Sequence, residues 1–139
     1  MYSKILLAAD GSDNSIRAAE QAAKIASLSE DATVEIVYVM DYSKSKREVL
    51  HSQSSETLEL ERRKNLFPIE VLLREVNVTY KLTMLHGDPG PTLVEYANKM
   101  SCSMMIIGSR GLNTLQEMVL GSVSHKVAKR VNCPVLIVK

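Results

Sequence analysis

The chain has 139 residues, 45% of them hydrophobic and 24% charged, with a formal net charge of +1. That composition suits one soluble globular domain with a real core, and the charge balance argues against a general electrostatic grip on nucleic acid or an anionic membrane. No apolar run approaches the roughly 20 residues of a membrane helix. The apolar start Ile5–Ala9 is too short for a secretory signal, so the expected location is the cytoplasm. Cys102 and Cys133 form no CxxC pair, and His51, His86 and His125 show no metal-ligand spacing. Two reduced, mostly buried thiols are expected rather than a disulfide or a metal site.

Residues 4–9 are almost continuously apolar and stop abruptly at Asp10-Gly11-Ser12, which reads as a buried strand. Ser12 or Asp13 caps the following helix, expected over about 14–28 with Ile16, Ala19, Ala23 and Ala26 on one face. Residues 33–39 form the second strand. Residues 41–65 are polar with nearly cancelling charges, and Ser45 to Glu48 has the capping-box pattern. A loop and then a solvated helix are expected there. Pro68 either kinks that helix or opens a second helical piece running to about Val76.

Residues 78–85 alternate, with Val78, Tyr80, Leu82 and Met84 against Thr79, Lys81 and Thr83, as in an edge strand guarded by Lys81. After the His86 to Pro91 loop, a helix over about 91–100 buries Leu93, Val94, Ala97 and Met100. Residues 104–107 form the fourth strand, about 122–131 the last helix, and Val135–Val138 the fifth strand. Strands alternating with helices predict an α/β, single-domain three-layer sandwich: a five-stranded parallel sheet with helices on both faces. The favoured strand order is 3-2-1-4-5, which places the switch point between strands one and four and brings Asp10 beside Gly108.

Three of the six glycines fall in Gly108-x2-Gly111-x9-Gly121-Ser122, between the fourth strand and the last helix. Strand, glycine loop and helix start together suit an anion, because free N–H groups and the helix dipole favour negative charge; the alternative is that these are ordinary turn and cap residues. Gly108 and Gly111 keep the loop open, and Gly121 and Ser122, with Ser124 as a further hydroxyl, face the phosphates. Arg110 is the best-placed cation, against the alternative of an ordinary exposed loop arginine. Lys129 and Arg130 suit the helix C-terminus instead. Asp10 has two readings of equal weight: a partner for a ribose hydroxyl, base amine or divalent cation, or a turn residue supporting Gly11. Val39 lines an adenine pocket or simply packs in the core. There is no Walker lysine motif, no G-x-G-x-x-G after the first strand and no G-x-S-x-G elbow. No acid–base constellation stands out, so catalytic residues are expected to be none.

Ile5-Leu-Leu-Ala-Ala-Asp10-Gly-Ser12, the glycine motif through Val123 and Ser124, and Cys133-Pro134-Val-Leu-Ile-Val138 together resemble the universal stress protein family, in its ATP-binding branch. The resemblance spans nearly the whole chain and implies an adenine nucleotide alpha hydrolase-like fold that dimerises. It implies Ala8, Asp10 and Val39 on the adenosine side, closed by Ile107 and Gly108. It implies Gly111, Gly121, Ser122 and Val123 around the phosphates of ATP, AMP or ADP, with Mg2+ or Mn2+ nearby. Two positions depart from the family pattern: Pro68, where a longer helix usually runs, and Ser103, where Asp is common.

The residues also favour a homodimer through Val135–Val138, since this edge is uniformly apolar with Lys139 as its only gatekeeper; the alternative is that a helix covers it. The preferred function is a homodimeric, nucleotide-dependent regulator of a stress response. The alternatives are a slow ATP hydrolase or autophosphorylating protein, and a flavodoxin- or receiver-like signalling domain.

Overall fold

The computed structural model describes residues 2–41, 55–110 and 120–139. The capping-box segment Ser45 to Glu48 and Gly111 lie outside the described residues. The elements in chain order are β1 (Lys4–Ala8), α1 (Asp13–Ala26), β2 (Thr33–Met40), α2 (Ser55–Asn65), α3 (Phe67–Glu75), β3 (Thr79–His86), α4 (Pro89–Met100), β4 (Met104–Gly108), α5 (Ser122–Arg130) and β5 (Val135–Val138).

The five strands form one sheet of order β3-β2-β1-β4-β5, and every neighbouring pair is parallel. This is the expected α/β architecture and order. Strand alternation divides the core into two layers. Ile5, Leu7, Val34, Ile36 and Ile106 pack against alanines 18, 19, 22, 23 and 26 of α1 and against Ile69 and Leu73 of α3. Leu6, Ala8, Val37, Met105 and Ile107 face the other way, onto Leu93 and Ala97 of α4 and Val127 of α5. Each fully buried Leu or Ile contributes about 1.5–3 kcal/mol relative to exposure. The alanine face of α1 lets that helix lie close on the sheet.

Element ends differ from the sequence expectations for local reasons. α1 stops at Ala26, because Ser27 turns its hydroxyl onto the Ala23 carbonyl at 2.7 Å and Leu28 is left in solvent. Its buried stripe includes Ala18 and Ala22, while Ile16 is only half-buried. Pro68 opens a second helix rather than kinking the first: α2 ends at Asn65, and Pro68 occupies the first turn of α3. Leu66 at this junction is fully buried, which anchors the break. α4 begins two residues before Pro91, with Pro89 also in its first turn.

The polar face of β3 has an unexpected partner. Thr83 donates to the carboxylate of Glu35 at 2.7 Å, Tyr96 of α4 donates to the same oxygen, and the Lys81 ammonium lies 3.8 Å from the other. Glu35 sits mid-strand in β2 and is buried. Its charge is tolerated because hydroxyls and an ammonium satisfy it. The tyrosine is correspondingly hard to ionise: burial, followed by its hydrogen bond to Glu35 and the charge there, raises the Tyr96 phenol above its ordinary value.

Candidate nucleotide site

β1 and β4 are adjacent, with Ala8 opposite Ile107 in the register. The segments that leave these strands therefore emerge side by side at the carboxyl edge of the sheet, at the switch point.

After β1 the chain makes a tight turn. Asp10 accepts the Ser12 N–H on Oδ1 at 2.9 Å. Gly11 then adopts φ +82°, a left-handed conformation that costs glycine little, with Asn65 3.3 Å from where a Cβ would stand. Ser12 caps α1, its hydroxyl oxygen accepting the Ser15 N–H at 3.2 Å. The turn-supporting role weighed for Asp10 is thus present in the structure.

At the end of β4, Gly108 meets a steric demand of its own. A Cβ there would come within 2.9 Å of the Asn14 backbone, so glycine lets the start of α1 close onto the end of β4. This close approach comes from packing within the fold. Ser109 fastens the neighbourhood: its N–H donates to Val138 at 2.7 Å, and its hydroxyl accepts from the Asn14 side chain at 3.4 Å.

Both ends of the glycine segment are tied at its base. The Gly121 N–H donates to the Ser109 carbonyl at 2.7 Å, and the Ser124 hydroxyl donates to the Gly108 carbonyl at 2.6 Å. Ser124 is buried and its proton is committed to this bond, whereas Ser122 is exposed. Gly121 is the N-cap of α5 in extended conformation and offers no side-chain cap. The first turn of α5 carries no acidic residue, and Lys129 and Arg130 stand in its last turn. Among the described residues no side chain caps its amino end, a locally positive terminus whose first-turn N–H groups can meet an anion. Arg110 follows Ser109 and is half-exposed.

Ala8 and Ile107 belong to the core layer on the α4–α5 face, with Val39 packed partly against it. Three of the five residues expected around an adenosine, Ala8, Val39 and Ile107, thus share one face of the sheet. Asn14 and Ser109, which the sequence reading passed over, lie between the two loops. An ordinary polar residue in a helix start carries no signal until the fold brings the other loop against it. Among the described residues, no three His, Cys, Asp or Glu side chains converge as a metal cage. No described helix is long and apolar enough to cross a membrane.

The universal stress protein family model matches residues 1–139. The chain belongs to the universal stress protein family. One family relative, universal stress protein MJ0531 of Methanocaldococcus jannaschii, is 36% identical over 142 residues, spanning 100% of this chain and 83% of its own length. The solved structure of MJ0577 superposes with a TM-score of 0.87 at 30% identity, covering 100% of this chain and 96% of that one. MJ0577 is from the same archaeon. A universal stress protein solved in complex with cAMP is 25% identical, with a TM-score of 0.70 and coverage of 99% and 96%.

Proposed function

We propose that this chain is a cytoplasmic, homodimeric regulator that binds an adenine nucleotide, ATP foremost, across the carboxyl ends of β1 and β4. The observation that carries the reading is the start of α5, where Gly121 supplies no side-chain cap and the Ser109–Gly121 and Gly108–Ser124 bonds hold the turn in place. Such a terminus meets phosphate through the N–H groups of Ser122, Val123 and Ser124 and through the Ser122 hydroxyl. Gly121 leaves space for the approach, and Gly111 and Arg110 complete the phosphate side. Ala8, Val39, Ile107 and Gly108 form the adenosine side, where Asp10 accepts from a sugar hydroxyl or base amine.

The cAMP complex of a family member supports the ligand class. Since the described residues offer no metal cage, a Mg2+ or Mn2+ ion is expected to arrive on the nucleotide's own phosphates. Dimerisation is assigned to β5, an edge strand of four half-buried apolar residues.

Calorimetric titration with ATP and Mg2+, together with nucleotide extraction from the purified protein, tests the reading. Saturable heat is expected, weakened by Asp10→Ala and abolished by Gly121→Val. No heat with wild type and no extractable nucleotide would overturn binding. A sedimentation mass of one chain at micromolar concentration would overturn the dimer.

A further inference from the structure

Cys102 and Cys133 lie at the end of the sheet opposite the candidate site, just before β4 and β5, with their sulfurs 3.1 Å apart. That gap is only about 1 Å longer than an S–S bond. Both residues are free thiols.

The backbone is pinned just after Cys102 and on both sides of Cys133. Ser103 donates its N–H to the Lys4 carbonyl at 2.8 Å, and its hydroxyl accepts the Lys4 N–H at 3.0 Å. Pro134 accepts the Met105 N–H at 2.9 Å. Asn98 of α4 accepts from the Asn132 N–H at 2.8 Å and donates to the Arg130 carbonyl at 3.2 Å, clamping the end of α5. The two sulfurs are thus positioned by a hydrogen-bonded frame.

Their environments differ. Cys133 is half-exposed, while Cys102 is buried and also touches the Ala97 carbonyl. Burial, and then the contact with Cys133, push the Cys102 thiol up to about 12. Cys102 therefore stays protonated near neutrality, which leaves the half-exposed Cys133 as the sulfur a peroxide reaches first.

We propose that Cys102 and Cys133 are a dithiol oxidised by hydroperoxides, whose disulfide staples the base of the β4–α5–β5 unit. The Cys133 thiolate attacks one peroxide oxygen. The O–O bond breaks, giving a Cys133 sulfenic acid and hydroxide, which leaves as water with a proton from solvent. Cys102 then attacks the Cys133 sulfur; the S–S bond forms, and the sulfenic oxygen departs with the Cys102 proton as a second water. The net change is two thiols and one hydrogen peroxide to one disulfide and two waters. The bond closes a loop containing β4, the whole glycine segment and α5, so it removes freedom from the unfolded chain there.

The test exposes the full reduced chain to hydrogen peroxide, then alkylates under denaturing conditions. The expected product is lighter by two hydrogens, takes no alkylating label and yields a joined Cys102–Cys133 peptide. Dithiothreitol restores both thiols. The oxidised form should melt at least about 5 °C higher. Cys102→Ser should accumulate a Cys133 sulfenic acid trapped by dimedone, and Cys133→Ser should leave Cys102 unmodified under the same exposure. Two alkylatable thiols after excess peroxide, a Cys133 sulfinic acid without a joined peptide, or dimedone on Cys102 would each overturn the dithiol. An unchanged melting temperature would overturn the staple.

Discussion

The Ser124 hydroxyl donates to the Gly108 carbonyl at 2.6 Å, joining the first turn of α5 to the last residue of β4. The bond spans 16 positions and holds the helix start over the strand end, where the phosphates of the proposed nucleotide are expected. Removing it with Ser124→Ala leaves a buried carbonyl short of a partner and should cost about 1–2 kcal/mol in urea unfolding. ATP affinity should fall as well, although Ser124 has no proton to spare for the ligand. Unchanged stability and unchanged affinity together would show that the tie is dispensable.

Gly108→Ala separates packing from ligand access. The added methyl meets the Asn14 carbonyl carbon and Cβ at 2.9 Å, atoms fixed in a helix start. A loss of about 1–3 kcal/mol is expected without nucleotide present. Thermal denaturation of the nucleotide-free variant measures it. A wild-type melting temperature would mean that α1 yields easily.

Gly121→Ser should move stability and binding in opposite directions. Gly121 already has the extended backbone of a cap, φ −68° and ψ 162°. A serine hydroxyl there should cap α5 and stabilise the protein by a few tenths of a kcal/mol. The same hydroxyl competes with phosphate for the first-turn N–H groups, so calorimetry should show several-fold weaker ATP binding. Tighter binding would argue that phosphate does not use this turn.

The Glu35 network predicts a contrast between its members. Glu35→Ala strands the Thr83 and Tyr96 hydroxyls and should cost about 2–3 kcal/mol. Lys81→Ala should cost less than about 1 kcal/mol, because the Lys81 side chain is 60% exposed and its ion pair is screened. Denaturant midpoints of the two variants decide it; equal losses would place the main interaction in the ion pair.

Alkaline pH should destabilise the fold. The Cys102 thiol rises from an ordinary 9.0 to about 12, chiefly through burial, and the Tyr96 phenol is raised above 10.0 for the same first reason. Folding therefore favours the protonated forms of both groups. Their contribution is complete below the ordinary values and is lost as the pH climbs through each raised folded value, which for Cys102 is about 12. Cys102→Ala should flatten the decline in unfolding free energy between those limits. The same slope in that variant would exclude Cys102 as its source.

Much of this protein follows from local pattern. The continuous apolar run ending at Asp10 marks β1 because a parallel strand is buried on both faces. The order β3-β2-β1-β4-β5 follows from strand–helix alternation and crossover handedness, which leave few alternatives. The glycine and serine spacing marked the strand-loop-helix unit, since only particular residues suit a bare cap or a close approach. The family resemblance rested on those same stretches.

Contacts between distant segments were not legible in that way. Pro68 was compatible with a kink or a fresh helix, and the burial of Leu66 at the junction decided for the helix. Glu35 read as one polar residue in an apolar strand until Thr83 and Tyr96 closed around it. Cys102 and Cys133 read as separate buried thiols, 31 positions apart, before β4 and β5 set their sulfurs in contact. Gly108 carried the mark of a ligand loop, and the fold added a steric reason in Asn14. Sequence patterns of period 2 and 3.6 state which face of an element is apolar, so strands, helices and their order could be read from them. Which polar atom meets which depends on side chains brought together by the whole packed sheet, and no local pattern carries that information.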